Sequence, residues 1–282
     1  MTGGGRALLI VTRGATDGRI GANGFEPGAP LFFRPDVQSD ARGNLYELVM
    51  LTSPADRQEG YSGVRRLNRA SGRLDTIGRV SQRVRSPLVR PVAPSPANGG
   101  QRRAGGPPPP YATVDQWAVA PDGRIAIVTT DPYRVRFVDP TGRVVEGPPI
   151  SYRAVPMSVE LKAEWRQRQE QPVATLQMGA GGAMTAGWVR RPYQEPPEWP
   201  DVLPPFFGRA LRFAPDGMLW IERLGPAGAG QLFDVVDARG QLARRVALSP
   251  KMRVVGFGRN GVYTVRRDTD DLEYLQLQDT QP

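Results

Sequence analysis

The chain contains no cysteine and no histidine, and of its 37 basic residues only Lys162 and Lys251 are lysine. Without cysteine there is no disulfide, no thiolate nucleophile and no zinc–thiolate site, and the redox state of the compartment leaves no trace. Without histidine there is no imidazole base, no Ser-His or Cys-His pair and no histidine-ligated metal. Most hydrolase chemistry is excluded with them. No catalytic constellation and no cofactor motif stands out, so the chain reads as a non-enzyme that needs no cofactor. Long apolar runs are missing too. The longest aliphatic stretch, Ala7 to Val11, falls far short of the roughly 20 residues of a membrane-spanning helix. Residues 1–5 carry no basic side chain and the apolar run stops at Thr12, so no signal peptide is read.

What is present is arginine, glycine and proline. The 282 residues carry a net charge of +9, with 33 glycines, 29 prolines and a mean hydropathy of −0.40. That length suits one large repeat domain or two ordinary ones. A basic balance of this size has two readings. One is an anionic partner. The other is a GC-rich genome, which encodes these three residue types freely, and the scarcity of lysine favours it.

One pattern organises the chain. QWAVAPDGRIAIV (116–128) is a short apolar strand, a Pro-Asp-Gly turn and a second apolar strand. It recurs as RFAPDGMLWIE (212–222), QSDARGNLYELV (38–49) and VVGFGRNGVYTVR (254–266). Three of the four copies are followed by a second hairpin, with turns at residues 69–72, 139–142 and 237–240. Glycine at the last turn position supplies the positive φ of a short bulged hairpin, and the Asp or Asn beside it tolerates the same region. The strands of 116–129 are nearly continuous in apolar residues, as in strands covered on both faces, whereas Tyr133–Val138 alternates. The last unit has three strands and ends with LEYLQLQ (272–278).

A four-stranded antiparallel unit of roughly 40 residues, repeated, is the blade of a β-propeller. The expected fold is therefore all-β, one propeller domain over residues 1–282. Its blades are 36–80, 113–149, 208–248 and 252–278, with half a blade at 6–21. Two insertions, 81–112 and 150–207, interrupt them, and the second carries one short helix. The Ala-Pro-Asp-Gly hairpins resemble six-bladed propellers of the NHL-repeat and Tol-type periplasmic classes. They resemble still more the six-bladed propellers of bacteria to which no activity is assigned. The resemblance implies six blades, and four and a half are counted. The expectation is that the natural N-terminus, with a signal peptide and a first blade, is missing, and that the full-length protein is periplasmic or extracellular.

In an up-down-up-down blade both hairpin turns lie at one end, and the longer connectors lie at the other. Variable loops on a rigid scaffold are where function usually sits. The first insertion has no acidic residue and carries Arg83, Arg85, Arg90, Arg102 and Arg103, with Tyr111 as its one aromatic. It reads as a solvated Pro/Gly loop, with anion binding as the alternative. The run 107–110 reads as a stiff polyproline spacer. The second insertion opens with a helix over 158–171, capped by Ser158, with Leu161 and Trp165 on its inward stripe. Glu164 with Arg168 and Arg166 with Glu170 are spaced to pair along it. The glycine-rich run 179–182 reads as a loop with no strand before it. Then come Trp188, Arg190, Arg191, Tyr193, Trp199, Phe206 and Phe207. Arginines and aromatics together make either an interaction hot spot or the packing that holds the insertion down.

Three functions follow. The first is a monomeric, non-enzymatic binding or scaffold propeller engaging a protein or cell-envelope ligand through the long-loop end. The candidate contacts are Arg102, Arg103, Tyr111, Trp188, Arg190, Arg191, Tyr193 and Trp199. The second, implied by the NHL resemblance, is RNA binding by bases stacked on aromatics beside arginines. The third, also by resemblance, is a lactonase-like hydrolase whose Ca²⁺ needs carboxylates at several inner-strand mouths, where only Asp36 and Asp115 stand.

Overall fold

The computed structural model describes residues 37–84, 109–178, 184–190, 192–259 and 261–279. The expected half blade at 6–21, Asp36, and Arg102, Arg103 and Arg191 lie outside them. The described chain is mostly β-structure, in meandering antiparallel sheets. Sheet 1 runs β1 (Gln38–Ser39), β2 (Leu45–Met50), β3 (Tyr61–Leu67), β4 (Leu74–Ser81), with helix α1 (Pro54–Glu59) between β2 and β3. Sheet 2 is β5 (Gln116–Val119), β6 (Ile125–Thr130), β7 (Tyr133–Val138) and β8 (Val144–Glu146). Helix α2 (Val159–Glu170) and a two-stranded ribbon, β9 (Val173–Met178) with β10 (Met184–Val189), follow. Sheet 3 is β11 (Leu211–Phe213), β12 (Leu219–Arg223), β13 (Leu232–Val236) and β14 (Leu242–Ala247). Sheet 4 has three strands, β15 (Met252–Gly258), β16 (Gly261–Arg267) and β17 (Glu273–Asp279).

Two elements depart from the sequence expectation. Helix α1 makes the helix count two among the described residues. Its Pro54 opens the first turn, where its missing N–H costs nothing, and Gly60 closes it in the left-handed region. The second departure is β9, which stands directly before the glycine-rich run 179–182, where no strand was expected. That run, itself outside the described residues, separates the two strands of a hairpin.

The tight turns follow from their residues. In sheets 2 and 3 the inner turns place Gly123 at φ 88° and Gly217 at φ 81°, where a side chain would be strained. The Asp122 and Asp216 carboxylates accept the amides of Arg124 (3.1 Å) and Met218 (2.9 Å). At the outer turns the acid moves to the first position. Asp139 accepts Thr141 N and Arg143 N, and Asp237 accepts Arg239 N and Gln241 N, all within 2.8–3.0 Å.

Period-two alternation then stacks the sheets face to face in chain order. On β6, Ile125 and Ile127 join Tyr46, Val64 and Val80 of sheet 1. From the opposite face of the same strand, Ala126 and Val128 join Leu219, Ile221 and Val236 of sheet 3. On β12 the pattern repeats, with Trp220 pointing instead to Val254 and Val262 of sheet 4. Each such aliphatic, fully buried, contributes roughly 1.5–3 kcal/mol. The inner strands β1, β5 and β11 are neighbours, so the sheets share one inner side. Polar ties reinforce the stack. Gln38 Oε1 accepts Val119 N at 2.8 Å, and Tyr133 donates to Asp234 across sheets 2 and 3 at 3.1 Å. Burial, with the Asp234 carboxylate beside it, pushes the Tyr133 hydroxyl far above the usual tyrosine range. No helix among the described residues is long and apolar enough to cross a membrane.

Candidate binding surface at the long-loop end

Strand alternation sends the hairpin turns to one end of the sheets. It sends α1, the Asp131–Pro132 link and residues 225–230 to the other. A single cluster gathers the second end. Tyr111, Leu161 and Leu203 are its buried centre, and Trp165, Trp199, Phe207, Leu224 and Ala227 pack around them. The first insertion, the second insertion and the middle connector of sheet 3 therefore meet in one place. Tyr111, with a left-handed backbone (φ 57°), sits 4.6 Å from the Trp165 ring and 5.6 Å from that of Phe207, centroid to centroid. Only 1% of Tyr111 is exposed, so it is a core residue rather than a ligand contact, and burial raises its hydroxyl pKa.

Helix α2 lies over this cluster as expected. Ser158 Oγ accepts Leu161 N at 3.3 Å, and Leu161 is buried. Its charged side chains do not spend themselves along the helix. Glu164 accepts Gly228 N at 2.9 Å from the sheet 3 connector, and Arg166 crosses to Glu195 at 3.0 Å. Glu195 was not among the expected site residues, yet it is the hub of the surface. It accepts Tyr193 OH at 2.8 Å and Trp199 Nε1 at 3.0 Å as well as the Arg166 guanidinium. These donors, Tyr193 first and then Trp199, hold its carboxyl below the usual glutamate range. Arg166 lies 4.8 Å over the Tyr193 ring and Lys162 5.4 Å over that of Trp199. The sequence signal was faint: one of three acids in a proline-rich stretch, 29 residues from the arginine it meets.

The expected aromatic group is thus divided. Trp199 and Phe207 pack inward with the cluster, Phe206 is fully buried between sheets 2 and 3, and Tyr193 is half-buried on the hub. Trp188 goes the other way. It stands on β10 opposite Ala174, with 75% of its surface exposed, and Val189 and Arg190 beside it are exposed too. The ribbon's extensive contacts are between its own two strands and not with any of the four sheets. A two-stranded ribbon with no further support is marginally stable in water. Among the described residues no group of three or more acidic side chains converges as a metal site. Asp115 is buried, and the aromatic faces of Tyr193 and Trp199 already carry their own cations.

No protein-family model matches this chain, and no curated protein matches its sequence.

Proposed function

We propose that the chain is a β-propeller of the six-bladed type that works as a non-enzymatic binding or scaffold protein. Its partner is a protein or cell-envelope ligand, engaged through the long-loop end. The propeller reading draws support from meandering four-stranded sheets stacked face to face, with their first strands on a common inner side. The observation that carries the functional reading is Trp188 of the β9–β10 ribbon, three-quarters exposed. Trp188 leaves most of its ring in water, and tryptophan is enriched among the residues that anchor interfaces. The Glu195 hub of the same insertion ties Arg166, Tyr193 and Trp199 together. The ribbon gains in a complex the cover that it lacks alone.

The test separates folding from binding. Replacing residues 173–189 by a short Gly-Ser link leaves the melting temperature within a few degrees, because the ribbon makes no extensive contact with any of the four sheets. The same change abolishes recovery of the partner from an extract of the source organism, and Trp188→Ala weakens it. If the shortened protein recovers the same partner as the intact chain, the ribbon is not the binding element.

A further inference from the structure

The opposite end of the sheets holds a recess that the reading above does not use. It measures about 440 Å³ and is lined by Arg42, Asn44, Asn68, Arg69 and Ala70, where the β1–β2 and β3–β4 turns of sheet 1 meet. The two turns are locked to each other. Asp40 Oδ1 accepts Arg42 N and Asn44 N, both at 2.9 Å, and Asp40 Oδ2 accepts Asn44 Nδ2 at 2.7 Å and Tyr46 OH at 2.9 Å. Asn44 Oδ1 then accepts Arg69 N at 3.0 Å, which ties the second turn to the first. Asn68 accepts the amides of Ala70 and Ser71 at 3.0 and 3.1 Å. The frame is rigid, and both oxygens of its one carboxylate are occupied by donors other than a guanidinium.

The arginines on the strands of sheet 1 are paired, whereas those of this recess are not. Arg65 pairs with Glu47, Arg66 with Asp75 and Arg79 with Asp56, while Arg83 reaches the Gln58 carbonyl. Among the described residues the guanidinium groups of Arg42 and Arg69 have neither an ion pair nor a hydrogen bond. Arg69 is laid across the neighbouring turn. A Cβ built on Gly43 would meet its Nη1 at 2.9 Å and its Cδ at 3.2 Å, so glycine there gives both the positive φ of 78° and the space for the arginine. Arg42 and Arg69 both line this recess, and neither guanidinium has an ion-pair partner among the described residues. The planar N–H fork of arginine matches the oxygens of a phosphate or carboxylate. A volume of about 440 Å³ lies within the roughly 300–1,000 Å³ of small-molecule sites and leaves room for more than the anion itself.

We infer that this recess is a binding site for a phosphate monoester, its phosphate held by Arg42 and Arg69 and its organic part resting against Asn68 and Ala70. The assignment stands apart from the partner surface, which lies at the other end of the sheets.

Isothermal titration of the intact chain at about 0.15 M salt, with inorganic phosphate and with glycerol 3-phosphate, tests it. Both give saturable one-site binding, with glycerol 3-phosphate the tighter. Arg42→Gln and Arg69→Gln each weaken it about tenfold or more, the loss expected when one charge-assisted contact is removed. Arg57→Gln removes the same charge from α1, at the far end of sheet 1, and leaves the affinity within about twofold, because a distant exposed charge is screened. Both recess arginines are exposed and unpaired, so their variants keep the wild-type melting temperature. Absence of saturation up to on the order of 10 mM overturns the site. So does an equal loss on Arg57→Gln, which would reduce the effect to net charge. Succinate binding as tightly as phosphate overturns the phosphate assignment.

Discussion

Asp234→Asn is the most informative single change, because the carboxylate it removes has no exposed surface and joins two sheets. The Asp234 side chain accepts Tyr133 OH from sheet 2 at 3.1 Å, and the guanidinium groups of Arg223 and Arg245 stand at 3.1 and 3.2 Å. Breaking a buried pair by removing one partner costs roughly 3–5 kcal/mol, because the remaining charge is stranded. Arg245 is 46% exposed and recovers part of its hydration, whereas Arg223 is only 16% exposed and does not. The lower end of the range, about 3 kcal/mol, is therefore expected, and at roughly 2–4 °C per kcal/mol it lowers the melting temperature by about 6–12 °C. Tyr133→Phe alone removes one hydrogen bond to a charged acceptor, worth roughly 1.5–3 kcal/mol. In the Asp234→Asn background the same change costs far less, since the strong acceptor has already gone. Thermal melts of the four proteins close the cycle. If the two losses add to within about 0.5 kcal/mol, the hydroxyl does not reach across the sheets and the packing described here is wrong.

Two further outcomes test separate parts of the molecule. Gly147→Ala drives a Cβ into the Gly240 carbonyl, where sheet 2 meets the outer turn of sheet 3. Backbone must move, and the melting temperature falls by the equivalent of roughly 1–3 kcal/mol or more; an unchanged melt contradicts the contact. At the hub, the folded pKa of Glu195 lies below its unfolded value. Its stabilising contribution is present above the unfolded value and is lost as pH falls through the folded one. Trp199 fluorescence accordingly shows an acid transition below the usual glutamate range, and Glu195→Gln removes it. A transition that survives the substitution belongs to another group.

The strands and tight turns were legible because their signals are local. An Asp-Gly step between apolar pairs fixes a hairpin within a few residues, and the alternation of Tyr133 to Val138 marks a half-covered strand. The Ser158 cap was legible for the same reason. Helix α1 carried its own punctuation, Pro54 at the start and Gly60 after the end, but at six residues it has no room for an apolar stripe. The β9–β10 ribbon was missed because a glycine-rich run, not an Asn-Gly or Asp-Gly pair, joins its strands. The buried acids left a trace in hindsight, since Glu47 and Asp234 each interrupt an otherwise apolar strand. Their partners, Arg65 and Tyr133, are set by sheet register and stacking. The Glu195 hub and the Arg42–Arg69 recess are also products of tertiary placement, as was the diversion of Tyr111 into the core. Residue type alone had marked Tyr111 as a contact.

The claim that the ribbon is the partner-binding element is tested most directly by a photoreactive amino acid at position 188. The charge-rich turn at the opposite end, position 239, serves as control. In an extract of the source organism, position 188 gives one dominant covalent adduct with a single protein or envelope component, and position 239 gives none of it. Adducts of the same identity and yield from both positions, or none from 188 while the intact chain still recovers a partner, would contradict the account.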